Sequence, residues 1–197
     1  DLGNGMYKNP VINADYSDPD VVCVGDDYYM TASSFNCIPG LPILHSKDLV
    51  NWEIIGHAVT KLQPESEFDQ PPHGNGVWAP CISYHNGEFY IYWGDPDYGV
   101  FMVKTKNPAG KWDDPVCVIP GKGMIDTSPL WDEDGRVYLV NGWANSRNRF
   151  ASVITVRELN ADGTKAISDP VIVFDGNGTE NRTCEGPKFY KRNGWYW

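Results

Sequence analysis

The chain has 197 residues, 16 of them Lys or Arg and 26 Asp or Glu, for a formal net charge of -10. That length can bury one sizeable core, while the acidic balance excludes nucleic acid and anionic membrane as expected partners, because both require clustered Lys and Arg. No apolar run approaches the ~20 residues of a membrane span.

The opening residues, Asp1-Leu2-Gly3-Asn4-Gly5, have neither an initiator Met nor an apolar signal-peptide core. A signal peptide, if the protein uses one, lies outside this sequence. The lead-in to Tyr16 is irregular, with Asn9-Pro10-Val11-Ile12 as a candidate strand.

At Ser17-Asp18-Pro19-Asp20-Val21-Val22 a carboxylate and a proline run into an apolar stretch. The frame returns at Trp78-Ala79-Pro80-Cys81-Ile82, Asp126-Thr127-Ser128-Pro129-Leu130-Trp131 and Glu185-Gly186-Pro187-Lys188-Phe189. Each proline is followed by a turn: Gly25-Asp26-Asp27, Asn86-Gly87, Asp134-Gly135 or Asn193-Gly194. Each turn is followed by an aromatic strand: Tyr28-Tyr29-Met30, Phe89-Tyr90-Ile91-Tyr92, Val137-Tyr138-Leu139-Val140 or Trp195-Tyr196-Trp197. Asn-Gly and Asp-Gly accept positive φ and close tight hairpins. Proline suits the first residue of a strand, where no ladder donor is needed.

The four prolines stand at 19, 80, 129 and 187, so the intervals are 61, 49 and 58 residues. A period of this size, filled with short strands, predicts an all-β fold of the β-propeller type with one four-stranded blade per repeat. Blade one is expected over 17–59, blade two over 77–118, blade three over about 124–174, and the first hairpin of a fourth over 183–197. In blade one the strands are Asp20–Val24, Tyr28–Ser34, Pro42–Ser46 and Trp52–His57. Thr60 to Gly76 reads as a long surface loop, of the kind that often dresses a site. Asn107 to Trp112 echoes Leu49-Val50-Asn51-Trp52 at the outer edge of blade one. No segment keeps a helical period over the ~11 residues of a typical helix. Asn177-Gly178-Thr179 and Asn181-Arg182-Thr183 match the glycosylation acceptor pattern, which matters only in a eukaryotic secretory route. Three blades and a hairpin do not close a ring and would leave an exposed edge, so the sequence is expected to be part of a longer protein.

The five cysteines, Cys23, Cys37, Cys81, Cys117 and Cys184, show no CxxC or Cys/His spacing, so no metal site is expected from them. They read mainly as small buried apolar residues and leave the compartment open, with an extracytoplasmic place favoured. Oligomeric state is not legible.

If each proline opens the innermost strand of a blade, the residues just before it ring the axis at one end. Asp18, Asp126 and Glu185 then meet, although 108 and 59 residues separate them along the chain. Isolated surface acids are common, but three in register at blade starts point to catalysis. Trp78 takes the remaining place; its flat ring offers an apolar face to a sugar, with filling of the hub as the plainer alternative. Phe35, in the loop after the second strand, is a second wall candidate with the same plain alternative. His73 reads as solvated loop, His45 as a packing residue and Asp95 as part of a turn.

These segments, together with Pro39-Gly40-Leu41-Pro42-Ile43 and His45-Ser46-Lys47-Asp48-Leu49-Val50-Asn51-Trp52, resemble glycoside hydrolase family 43 in order and spacing over nearly the whole chain. The resemblance implies a five-bladed propeller with an inverting active site at its hub, acting as a β-xylosidase, α-L-arabinofuranosidase or arabinanase on plant-cell-wall carbohydrate. It matches Asp18 to the general base, Asp126 to a carboxylate that tunes the acid, and Glu185 to the general acid. Inversion needs room for a water, so the acid and base carboxyls should stand roughly 6.5–9.5 Å apart. No cofactor is required; the family's later residues add a channel histidine and often a cation such as calcium, whose ligands this chain does not place. One departure is Asp20, where the family often has Ser, and strand alternation is taken to point it away from the hub. A carbohydrate-binding propeller without catalysis is the alternative, disfavoured by the presence of all three acids; an inactive fragment of the hydrolase is another. Arabinofuranose and xylopyranose specificity, and exo and endo action, are not separable, because pocket depth decides them.

Overall fold

A computed structural model of the chain describes residues 3–70, 73–181 and 183–197. Asp1, Leu2, Pro71, Pro72 and Arg182, and with Arg182 the middle of the second glycosylation pattern, lie outside the described residues.

Four antiparallel sheets follow one another along the chain. The first holds β1 (Asp20–Val24), β2 (Asp27–Thr31), β3 (Gly40–Ser46) and β4 (Glu53–Val59). The second holds β5 (Trp78–His85), β6 (Glu88–Asp95), β7 (Gly99–Thr105) and β8 (Val116–Pro120). The third holds β9 (Met124–Trp131), β10 (Val137–Trp143), β11 (Val153–Leu159) and β12 (Val171–Asp175). Each is a meander in which strands pair in chain order. The fourth is a hairpin of β13 (Lys191–Arg192) and β14 (Trp195–Tyr196), extended by reciprocal backbone bonds between Tyr190 and Trp197 at 2.8 and 3.0 Å. Helix is limited, among the described residues, to one 3-10 turn (Glu65–Glu67) and the four-residue α1 (Asn145–Asn148). None is long and apolar enough to cross a membrane.

Side chains on a strand alternate between faces, and the second sheet uses both faces. Phe89, Ile91 and Trp93 pack with Leu41, Ile43, Val59 and Val77 into a core against the first sheet. Tyr90 and Tyr92 pack with Met102, Val137, Leu139 and Leu159 into a core against the third. β6 is therefore buried nearly throughout, as expected of a strand covered on both sides. Three successive sheets packed face to face around a common end are blades of a β-propeller. Gly94 is a point of close approach between blades two and three: a Cβ there would strike the carbonyl oxygen of Met124.

Three expectations need correction. Asn9 to Ile12 forms no strand; no neighbouring strand offers it a ladder, and Val11 is left exposed. The 60–76 segment is not wholly a surface loop, since Leu62 is buried in the first core and Phe68 packs against it. Of the cysteines only Cys81 is buried, while Cys23, Cys37 and Cys117 are exposed, because Cys23 takes an outward place in the alternation of β1 and Cys117 lies on the outermost strand of its blade. A run of exposed apolar side chains occupies β12 (Val171, Ile172, Val173, Phe174), and Trp195 and Trp197 are also exposed.

Candidate active site

The inner strands begin with a shared backbone device. Asp18, Ala79, Asp126 and Gly186 have φ of 50°, 32°, 55° and 65°. Positive φ is uncommon for residues other than glycine, and for Ala it is costly. Its recurrence once per blade means the surrounding structure holds each chain turn in place. The turn swings the start of the strand across the hub and delivers the side chains there to the axis.

Asp18, Asp126 and Glu185 line one cavity of about 360 Å³, with Pro19, Ala79, Pro80, Thr127, Gly186, Pro187 and Lys188 completing its wall. Asp18 and Glu185 are exposed to the cavity and Asp126 is half-buried. Each acid that sits on a positive-φ turn is fixed by a bond to another blade or its own. Ser33 donates through Oγ to Asp18 Oδ2 at 2.7 Å, and the same hydroxyl accepts the Ala79 amide at 2.8 Å. Asp126 Oδ2 accepts the Gly186 amide at 2.8 Å, one residue after Glu185, so the two acids are coupled through the backbone. Asp126 is held above the usual carboxylate range, first by its burial. The negative charges of Glu185 and Asp18 push the same way, against the Gly186 amide and the Lys188 ammonium. Thr127 lines the cavity, and its buried hydroxyl has no protein partner among the described residues.

The remaining expected residues fall elsewhere. Trp78 does not line the cavity; the position equivalent to Asp18 and Asp126 is Ala79, and Trp78 stands one residue earlier, in register with Glu185. Its indole N–H donates to the Gly74 carbonyl at 2.7 Å, and the Arg147 guanidinium lies 5.2 Å from its ring centre. Arg147 is itself held by Asp97, which accepts from Nε and Nη2 at 3.1 and 3.0 Å, and by Asn75 at 3.1 Å. Phe35 also lies outside the lining; its backbone bridges Val77 through two 3.0 Å bonds, which sets it beside Trp78. His73 is exposed. His45 contacts Asp27 and stacks at a tilt on Tyr29 in blade one. Asp95 accepts the amides of Asp97 and Tyr98 and closes the β6–β7 turn; burial, above all, pushes its pKa up to about 6.

Asp20 is a correction. It does not point away from the hub: its Oδ2 accepts the Ile82 amide and its Oδ1 pairs with Lys188 Nζ, both at 2.8 Å. Strand alternation does not reach back to Asp18, which precedes β1 on a positive-φ turn, so it is no guide to the side on which Asp20 lies. Ser33 and Lys188 carried no expectation. Lys188 could have been found as the cation inside the Glu185 frame, whereas Ser33, 15 residues from Asp18, gave no signal. Among the described residues no three His, Cys, Asp or Glu side chains gather as a cation site.

Comparison with known proteins places this arrangement. The profile described as "Glycosyl hydrolases family 43" matches residues 7–197. A beta-xylosidase of Formosa agariphila is 36% identical over all of this chain and 34% of its own length. A non-reducing end alpha-L-arabinofuranosidase of Bacteroides ovatus is 35% identical over all of this chain and 36% of its own. Among solved structures, a xylan beta-1,4-xylosidase of Bacillus halodurans superposes with a TM-score of 0.80 at 30% identity, over 97% of this chain and 38% of that one. The chain thus spans about a third of the length of the curated relatives it matches. With the profile matched almost end to end and three acids gathered where the blades begin, the chain belongs to glycosyl hydrolases family 43.

Proposed function

We propose that the protein is an inverting glycoside hydrolase that removes xylosyl or arabinofuranosyl units from plant-cell-wall carbohydrate. The observation that carries this reading is the convergence of Asp18, Asp126 and Glu185 on one cavity. In this reading Asp18 takes a proton from the attacking water, Glu185 gives one to the departing oxygen, and the sugar lies between them. Ser33 holds Asp18 with one oxygen and leaves the other for water. Asp126, bonded to the Gly186 amide, orients Glu185. Trp78 and Phe35, side by side at the same end of the blades, would wall the mouth of the site against the sugar. The names of the relatives, a beta-xylosidase and an alpha-L-arabinofuranosidase, support the choice of pentose linkages.

The test is turnover of p-nitrophenyl α-L-arabinofuranoside and β-D-xylopyranoside by the natural full-length protein, with proton NMR of the first-formed sugar. Inverted anomeric configuration is expected. Retention would remove Asp18 from the role of base, and binding without turnover would favour a lectin-like propeller.

Asp126→Asn is expected to lower turnover and yet raise the melting temperature at pH 7. A carboxyl whose pKa is raised in the fold contributes stability below its ordinary value and loses it as pH rises through the raised one. The neutral amide escapes that loss and keeps an oxygen for the Gly186 amide. The gain should shrink to nothing near pH 4; a gain that does not depend on pH would show that Asp126 is not strained by its charge.

A further inference from the structure

Counting from the positive-φ turn, the second residue onward is Asp20 in blade one, Cys81 in blade two, Ser128 in blade three and Lys188 in the fourth segment. These four side chains form a connected layer directly beyond the acids. Lys188 Nζ pairs with Asp20 Oδ1 across the hub at 2.8 Å. Cys81 Sγ lies 3.8 Å from Ser128 Oγ, and that hydroxyl accepts the Phe189 amide at 3.3 Å. Asp20 Oδ2 accepts the Ile82 amide. Lys188 differs from the other three in also lining the cavity that holds Asp18, Asp126 and Glu185.

We propose that Lys188 and Asp20 are a positioning pair for the hydrolytic site, in which the ammonium offsets the crowded carboxylates above it and Asp20 fixes where that charge sits and how much of it the acids feel. This rests on the reading of the three acids as catalytic. The charge count favours it: three carboxylates share one cavity with a single cation on its wall, and a fourth carboxylate anchors that cation. The groups facing Lys188 are Asp20 on β1, Cys81 on β5, Asp126 on β9 and Tyr190 of its own segment. Cys81 is pushed up to about 12, first by burial and then by Asp20, so it stays a neutral thiol near pH 7. The ammonium counters the upward push on Asp126. A purely structural strut would leave the titration of the site where it was.

The test is the pH profile of kcat/KM for the natural full-length protein on whichever aryl pentoside it cleaves, in Lys188→Gln, Lys188→Arg, Asp20→Asn and the double Asp20→Asn/Lys188→Gln variant. Removing the cation raises the pKa of every nearby carboxyl, so both limbs of the Lys188→Gln profile should move up by about half to one pH unit. Removing the Asp20 charge leaves the ammonium uncompensated, so both limbs of Asp20→Asn should move down. The double variant should return towards the parent, and Lys188→Arg should keep the parent profile. Limbs that stay put, or that move the same way in both single variants, would overturn the proposal. So would failure of both single variants to fold, which would assign the pair to the fold alone. If only Lys188→Gln fails to fold, the direction of Asp20→Asn decides. Asp18→Asn and Glu185→Gln are assayed beside them on an unactivated pentose oligosaccharide, whose leaving group needs the acid: their retaining turnover on it would sink the catalytic reading itself, whereas their losing it while the limbs stay fixed would sink only the pair.

Discussion

Glu185→Gln is expected to slow hydrolysis of natural pentose oligosaccharides by about 10²–10⁴-fold while barely affecting aryl glycosides with the best leaving groups, and Asp18→Asn is expected to slow both by about the same factor. The difference follows from what each acid does in the proposed reaction. A sugar alkoxide is a poor leaving group and needs the proton from Glu185; a nitrophenolate departs without it. The attacking water needs its base whatever leaves, so loss of Asp18 spares no substrate. Both substitutions preserve size. Asn keeps an acceptor for the Ser33 hydroxyl that now holds Asp18, so misfolding should not mask the result. Rates measured across a series of leaving groups decide the matter. A flat series for Glu185→Gln, with equal loss on good and poor leaving groups, would show that Glu185 is not the acid.

Tyr92→Ala is expected to cost about 3–5 kcal/mol of stability, as full truncation of a buried aromatic does. Tyr92 is completely buried on the face of β6 that meets blade three. Its hydroxyl crosses to that blade and donates to the Gly163 carbonyl at 2.8 Å. Truncation removes the ring from the second core and leaves the carbonyl without its donor. Tyr92→Phe separates the two effects, since it keeps the ring and should cost only about 1–2 kcal/mol. Denaturant midpoints of the two variants check this. A loss below about 1 kcal/mol for Tyr92→Ala would mean that blades two and three hardly rely on each other's packing.

Much of the fold was legible because turn chemistry repeats. Asn86-Gly87, Asp134-Gly135 and Asn193-Gly194 mark hairpins by the positive φ their residues accept, and aromatic strands follow them. The acids were legible for the same reason, as residues fixed in place relative to blade starts. The error in register came from treating the one to three residues before each proline as a single slot. Pro19, Pro80 and Pro187 each follow the positive-φ residue directly, but in blade three Thr127 takes that place and Pro129 lies two residues further on. The acids therefore stand one, three and two residues before their prolines, and that slack matched Trp78 with Asp18, when Ala79, directly before Pro80 as Asp18 is before Pro19, is the equivalent residue. The partners of the site were less legible because they arrive from other blades. Nothing in the local sequence of Ser33 states that its hydroxyl will bridge Asp18 and Ala79, and nothing near Arg147 places its guanidinium over Trp78. Such contacts depend on how adjacent blades are rotated, which hydrophobic alternation along one strand does not encode.

The stitches between blades carry one more consequence. Blade one lends Ser33 and Asp20 to amides of blade two, and blade three lends Asp126 and Ser128 to amides of the segment that follows it. Repeats of this kind look like interchangeable cassettes, yet here each holds half of its neighbour's fastening. Transplanting a blade from a distant homologue would carry across the strands and leave the fastenings unmatched, so a successful chimaera has to move its boundaries to include both halves of each stitch.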